Sequence, residues 1–96
     1  MKTKGVNTSE QIDELLRGSD CPQTRTELYF KRMIISCFTY GQLKSSYIDD
    51  YKKRLDIDVF NDVYNEQVRF LEDNYRVEHN VYTDSEGLTY NQLKPK

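Results

Sequence analysis

The clearest pattern of hydrophobic and polar positions lies in the second half of the chain. Apolar side chains recur there at intervals of four, four, three and four residues, at Phe60, Tyr64, Val68, Leu71 and Tyr75. Positions three and four apart lie on the same face of an α-helix, so this spacing gives the helix one apolar face. Asp58, a residue type favoured at helix N-caps, stands just before the pattern. We therefore predict an amphipathic helix over residues 58 to 74.

After Arg76 the period of the pattern changes from helical spacing to two. Apolar or β-branched side chains alternate with polar ones as far as Thr83, and a second run with apolar and aromatic members spans residues 88 to 93. The segment between them, residues 84 to 87, reads Asp-Ser-Glu-Gly and is rich in turn-forming residues. Alternation on both sides of a turn predicts a β-hairpin over residues 77 to 93.

Three shorter helical patterns precede this unit. Thr8-Ser9-Glu10-Gln11 is a capping box, which predicts a helix over about residues 9 to 17. A second box, Thr24-Arg25-Thr26-Glu27, opens a longer and more apolar helix, and Ser45-Ser46 opens a third. Residues 34 to 40 could continue the second helix or form a short strand, since a brief apolar run does not distinguish the two.

Together these patterns predict a mainly helical α+β fold, with three to four helices followed by a C-terminal β-hairpin. No internal repeat and no linker divides the chain, so we expect one domain at residues 8 to 93, a flexible N-terminus at residues 1 to 7 and a tail at residues 94 to 96. A chain of 96 residues buries a modest core and often gains stability by dimerising, and we expect a homodimer.

Composition argues against several classes of protein. Hydrophobic residues make up 36% of the chain and charged residues 31%, and no apolar run approaches the roughly 20 residues needed to cross a bilayer. The N-terminus lacks the apolar core of a signal peptide, so we expect a cytoplasmic protein without a membrane partner. Two cysteines and one histidine do not make a zinc site, and no motif of nucleophilic catalysis or phosphate binding is present. We therefore expect no enzyme activity, no catalytic residue, no metal site and no cofactor.

The residues between 55 and 93 carry two recognisable segments. Leu55-Asp56-Ile57-Asp58 stands where a turn commonly written Leu-Gly-Ile/Leu-Ser is found, and Leu71-Glu72-Asp73-Asn74-Tyr75-Arg76-Val77 is similar to a Leu-Glu-x-x-Gly-Leu-Val exit from a recognition helix. With helices before a hairpin, the chain resembles the winged helix-turn-helix family of DNA-binding proteins over about forty residues. The resemblance implies a winged-helix-like fold, with residues 58 to 74 as recognition helix and the hairpin as wing.

The same resemblance implies a DNA-binding site. The exposed N-terminal part of the recognition helix would enter the major groove, with Asn61 and Asn65 at base edges and Arg69 near phosphate. Further phosphate contacts would come from Arg76 and, on the preceding helix, from Lys52, Lys53 and Arg54. Residues with AT-rich codons are abundant, which indicates a low-GC bacterium or one of its phages or plasmids as the source. The resemblance then implies a DNA-binding protein of a phage or plasmid, acting as a regulator or as an accessory factor for replication, excision or transfer.

The distribution of charge favours a different partner. DNA-binding surfaces are usually basic, yet the chain has a net charge of −2, and residues 58 to 96 hold four Lys or Arg against eight Asp or Glu. Acidic residues recur along one helical face at Asp58, Asp62, Glu66 and Asp73. The alternative is an anti-CRISPR-like inhibitor or adaptor in which this face binds a basic nucleic-acid-processing protein of the host. A third alternative is a structural subunit that pairs with its copy through Phe30, Met33 and Ile34.

Overall fold

The computed structural model describes residues 3–40, 45–83, 85 and 89–96. Within these ranges four α-helices precede two antiparallel strands, which confirms the predicted mainly helical α+β fold with a C-terminal hairpin. The elements are α1 Ser9–Gly18, α2 Pro22–Tyr40, α3 Ser45–Arg54, α4 Ile57–Asn74, β1 Tyr75–Thr83 and β2 Thr89–Pro95. Helix α2 contacts α1, α3, α4 and β2 and so forms the centre of the fold. Among the helices described, none is both long enough and apolar enough to cross a bilayer.

Helix α1 begins at the predicted capping box. The backbone amide of Gln11 donates to Thr8 Oγ1 at 3.2 Å, and the amide of Thr8 donates to Gln11 Oε1 at 3.2 Å. Both amides would otherwise lack partners at the start of the helix. At the other end of α1, Arg25 Nη1 donates to the carbonyl of Leu16 at 2.6 Å and to that of Ser19 at 3.0 Å. Both ends of the helix are therefore capped by side chains.

Helix α2 begins before its predicted start. Its first residue is Pro22, which suits that position because proline has no amide to leave unpaired and its φ is already helical. Thr24, predicted to cap the helix, lies instead inside the first turn and is buried. The helix continues to Tyr40. Residues 34 to 40, for which helix and strand were both open, are therefore helical.

Helix α4 follows α3 after two residues, and the second of these, Asp56, occupies the N-cap where Asp58 was predicted. The buried face of α4 consists of Phe60, Val63, Gln67 and Leu71. Tyr64 and Val68, which the apolar spacing placed on that face, are half-buried. Both still pack against the main core, so the predicted apolar face is the one that the helix buries. Glu66 lies at the edge of the interface with α2, where it pairs with Lys31.

The hairpin formed by β1 and β2 is longer at its base than predicted. β1 starts at Tyr75, directly after α4, and β2 runs to Pro95, so part of the predicted C-terminal tail is paired. Arg76 lies opposite Lys94 near the base of the hairpin. Most of the predicted turn, at residues 84, 86 and 87, lies outside the described residues.

Phe30 of α2 lies at the centre of the main core. Its fully buried ring stacks on Tyr51 of α3, with ring centres 4.8 Å apart, and on Phe60 of α4, at 5.0 Å. Tyr64 continues the stack from Phe60 at 6.0 Å. One row of aromatic rings thereby joins three helices. A smaller cluster holds α1 against α2 and consists of Ile12, Leu16 and Leu28.

Candidate binding surface of the fourth helix and the N-terminal strap

Residues 3 to 7, which we call the N-terminal strap, fold back onto α2 and α4. The amide of Val6 donates to the carbonyl of Thr3 at 3.0 Å and closes a turn. Gly5 within this turn has a φ of 81°, a left-handed conformation that glycine adopts without steric cost. Thr3 and Asn7 are buried. The region predicted from sequence to be a flexible N-terminus therefore has a packed interface from residue 3 onward.

Lys31 of α2 binds the strap through its ammonium group. The side chain is fully buried, and Nζ donates to the carbonyls of Thr3 at 2.7 Å and Val6 at 2.9 Å and to Asn7 Oδ1 at 3.2 Å. Glu66 Oε1 of α4 lies 3.3 Å from the same atom. Burial lowers the pKa of Lys31, and the neighbouring carboxylate of Glu66 opposes that shift. Four oxygen atoms, three from the strap and one from α4, thus surround one ammonium group, whose three protons are all engaged.

Three further hydrogen bonds join the strap to side chains of α2 and α4. They run from Thr3 Oγ1 to Glu27 Oε1 (2.8 Å), from the Gly5 amide to Glu66 Oε1 (2.8 Å) and from Gln67 Nε2 to the Asn7 carbonyl (3.0 Å). Polar side chains are expensive to bury without partners. The strap supplies partners for the Lys31 ammonium, for the Glu66 carboxylate and for Nε2 of Gln67. Among the described residues, Oε1 of Gln67 is buried without a hydrogen-bond partner.

Substitution of Gly5 by Ala tests the strap turn. No atom lies within 4 Å of the position that the new Cβ would occupy, so the expected cost comes from the backbone conformation alone. A left-handed conformation costs a residue with a Cβ about 1 to 2 kcal/mol. We expect the free energy of unfolding, measured by urea denaturation, to fall by about that amount.

Gly18→Ala is the matched control for Gly5→Ala. Gly18 also has open space at its Cβ position, but its backbone is not left-handed. Alanine at the end of α1 should be neutral or slightly stabilising, because it favours the helix over glycine. Equal losses in the two variants would mean that the strap turn does not form as described.

The carboxylates predicted along α4 do not share one environment. Asp58, Asp62 and Asp73 are exposed, but the side chain of Glu66 is only 22% exposed and pairs with Lys31. Glu66 therefore does not belong to the exposed surface for which it was proposed. Glu72 is also exposed but was not among the predicted residues. It follows Asp58 by about four helical turns, and this spacing could have placed it on the same face of the helix. The α4 acidic face, as defined by the structure, consists of Asp58, Asp62, Glu72 and Asp73.

The predicted DNA-binding residues on α4, Asn61, Asn65 and Arg69, are all exposed. They lie on the same outer surface as the α4 acidic face. Arg69 is the only cation among the 18 residues of α4, which also contain five Asp or Glu. Any ligand that approaches these three side chains therefore meets a predominantly negative surface.

The other predicted DNA-binding residues form two groups at opposite ends of α4. Lys52, Lys53 and Arg54 are exposed in the last turn of α3, where Lys52 Nζ lies 5.6 Å from the ring centre of Phe60 and Arg54 Nε lies 3.2 Å from Asp50 Oδ2. Arg76, after the other end of α4, is exposed and lies 3.4 Å from Glu78. An 18-residue helix is about 27 Å long, so these basic groups do not form one patch.

A groove of about 760 Å³ runs between the strap and α4. The strap contributes Lys4, Gly5 and Asn7 to it, and α4 contributes residues between Asp62 and Asn74, among them the half-buried Phe70. Asp62 and Asp73 line this groove, whereas Asp58 and Glu72 do not. Lys4 and Phe70 were not among the predicted site residues. Lys4 stood in the expected flexible terminus, and Phe70 lies off the apolar spacing. We call this feature the strap groove.

Among the described residues, no group of three or more His, Cys, Asp or Glu side chains converges to form a metal site. Comparisons with protein-family models, with curated proteins and with solved structures find no match for this chain.

Proposed function

We propose that the protein is a cytoplasmic, non-enzymatic binding module of a phage or plasmid, which attaches to a basic nucleic-acid-processing protein through the α4 acidic face. The observation that carries this proposal is the charge on the outer surface of α4. Four exposed carboxylates stand there against Arg69 alone. In the described part of the chain none of the four has a cationic group within 4.0 Å.

Electrostatic complementarity explains why such a surface suits a basic protein. Proteins that process nucleic acid have positive channels, and a negative surface of matching length is steered toward them and speeds their encounter. The α4 acidic face extends from Asp58 to Asp73, which is roughly 22 Å along the helix. Binding there would occupy the channel in place of nucleic acid. The same charges repel phosphate, which disfavours entry of α4 into a DNA groove.

A second candidate function, DNA binding by a homodimer, is supported by the order of elements and by the basic end of α3. Helices α2, α3 and α4 lead into the hairpin, with a two-residue junction before α4. Exposed beside that junction are Lys52, Lys53 and Arg54. In this case α3 and the hairpin, rather than the outer face of α4, would carry the phosphate contacts. Binding would then weaken steeply as salt is raised.

Neutralisation of the acidic face tests the first proposal. The variant combines Asp58→Asn, Asp62→Asn, Glu72→Gln and Asp73→Asn and is compared with wild type as immobilised bait in nuclease-treated cytosol of the native host. We expect wild type to retain a basic protein and the variant to lose at least nine tenths of it, since buried charge pairs dominate dissociation. Undiminished retention by the variant would overturn the proposal.

A matched variant separates the two functions. This variant combines Lys52→Gln, Lys53→Gln and Arg54→Gln at the end of α3. It changes the net charge by three, against four for the neutralised α4 variant. Under the first proposal this variant retains the basic protein as wild type does. Under the second it loses affinity for a mixed-sequence 20-bp duplex, measured by fluorescence anisotropy, whereas the neutralised α4 variant gains affinity.

A further inference from the structure

The strap groove presents charges in a definite order. Asp62 lies at one end and Asp73 at the other, both exposed. Between them on the α4 wall lies Arg69. On the strap wall Lys4 lines the groove next to Gly5, whose amide bonds Glu66, a residue between Asp62 and Arg69, at 2.8 Å. Along its length the groove is therefore negative, then positive, then negative.

These four charged groups are free to bind a ligand. No ion pair within 4.0 Å involves Lys4, Asp62, Arg69 or Asp73 in the described part of the chain. Glu66 also lines the groove, but its carboxylate already binds Lys31 and the Gly5 amide. The half-buried ring of Phe70 adds an apolar surface that can pack against the stem of a long side chain.

The distance between the two carboxylates sets the size of the occupant. Asp62 and Asp73 are eleven positions apart, which corresponds to roughly 16 Å along the helix axis. An extended chain advances about 3.3 Å per residue and places alternate side chains on one face. Three alternate residues therefore span about 13 Å between their Cα atoms, and long side chains at both ends cover the remainder.

We infer that the strap groove is the docking site for an extended segment of the partner protein with basic, acidic and basic side chains at alternate positions. The two basic side chains pair with Asp62 and Asp73, and the acidic one binds between Lys4 and Arg69. The inference rests on the proposed function and deepens it, because it confines recognition to part of the α4 acidic face. The strap is then a wall of the binding site, and the buried Lys31 keeps that wall in place.

Binding of defined peptides to the full chain tests this inference. The probe is the synthetic peptide Ser-Arg-Ser-Glu-Ser-Arg-Ser with blocked ends, and the control has the same composition in the order Ser-Arg-Arg-Ser-Ser-Glu-Ser. Both are titrated into isotopically labelled protein, and amide shifts are followed by NMR. We expect the probe to bind at least fivefold more tightly than the control and to shift the amides of Gly5, Arg69 and Asp73. Equal affinity of the two peptides, or shifts confined to other surfaces, would overturn the inference.

Two pairs of substitutions with equal charge change locate the site. Asp62→Asn with Asp73→Asn removes the carboxylates inside the groove, and Asp58→Asn with Glu72→Gln removes those outside it. We expect the first pair to weaken binding of the probe at least tenfold and the second less than twofold. If both pairs weaken it equally, the acidic face acts as a diffuse surface and the groove inference is wrong, while the proposed function stands. Failure of the proposed function shows separately, as unchanged retention of the host protein by the neutralised bait.

Discussion

Replacement of Lys31 by Met is expected to lower the free energy of unfolding by about 3 to 5 kcal/mol, the range observed when one partner of a buried ion pair is removed. The methionine would fill the space but donate no hydrogen bond. The carbonyls of Thr3 and Val6, with Asn7 and Glu66, would each lose a donor that the ammonium now supplies. Urea denaturation followed by circular dichroism measures the change.

Arg32→Met is the matched control for Lys31→Met. Arg32 is the next residue of α2, but its side chain is 52% exposed and its nitrogen lies 3.6 Å from Asp13. Exposed pairs of this kind contribute about 0 to 1 kcal/mol. The double variant Lys31→Met with Glu66→Gln should recover only part of the loss, because the strap carbonyls stay unpaired. Similar stabilities for Lys31→Met and Arg32→Met would refute the buried network.

The pH dependence of stability tests whether the pKa of Lys31 is lower in the folded protein than in the unfolded chain. Because burial lowers the pKa of Lys31 below its usual 10.5, the unfolded chain holds this proton more tightly than the folded protein does. Stability of the wild type relative to Lys31→Met should therefore rise as the pH increases toward 10.5 and change little near neutral pH. Taking the difference between the two proteins cancels the contribution of the titrating groups that they share.

Substitution of Phe30 by Ala is expected to be as damaging, at about 3 to 5 kcal/mol. The change would remove the ring that stacks on both Tyr51 and Phe60 and would leave a cavity where α2, α3 and α4 meet. The loss would be measured as a lower urea midpoint. Phe30→Leu, which fills more of the space, should cost less.

Tyr29→Ala controls for loss of an aromatic ring as such. Tyr29 precedes Phe30 on the same helix, but it is 42% exposed and its main contacts are with Arg25. Its removal should cost about 1 kcal/mol or less. A larger effect from Tyr29 than from Phe30 would show that the aromatic stack is not the centre of the core.

Much of the fold could be predicted from sequence because its signals are local. The capping box at Thr8 and the apolar spacing from Phe60 to Leu71 each depend on neighbours within a few turns, and α1 and α4 were found through them. The change of period after Arg76 located the hairpin in the same way. The ends of the helices and strands were predicted less accurately. No distinctive sequence pattern marks the start of α2 at Pro22 or the end of β2 at Pro95.

The binding surface was less predictable because it depends on which polar residues are buried. Lys31 lies between Leu28 and Ile34 at helical spacing, so its place on the inner face of α2 was visible, yet no local rule identifies its partners. Those partners come from the strap and from Glu66. Because Glu66 pairs with Lys31, it is not one of the exposed carboxylates of α4. The strap, held against α4, then forms one wall of the strap groove. A pattern confined to α4 could not reveal this.

The hydrogen bonds of the strap also determine when it can form during synthesis. Gly5 bonds a carboxylate 61 positions later in the chain, and Asn7 bonds a side chain 60 positions later. Gly5 and the carbonyl of Asn7 must therefore wait for α4 before they acquire these two partners, and closing so long a loop is slow compared with forming helices. We expect the amide of Gly5 to gain protection from hydrogen exchange after the amides of α2 and α4 in a pulse-labelling refolding experiment. Earlier protection of Gly5 would contradict this order. The strap, although it precedes both helices in the sequence, would then complete its hydrogen bonds after them.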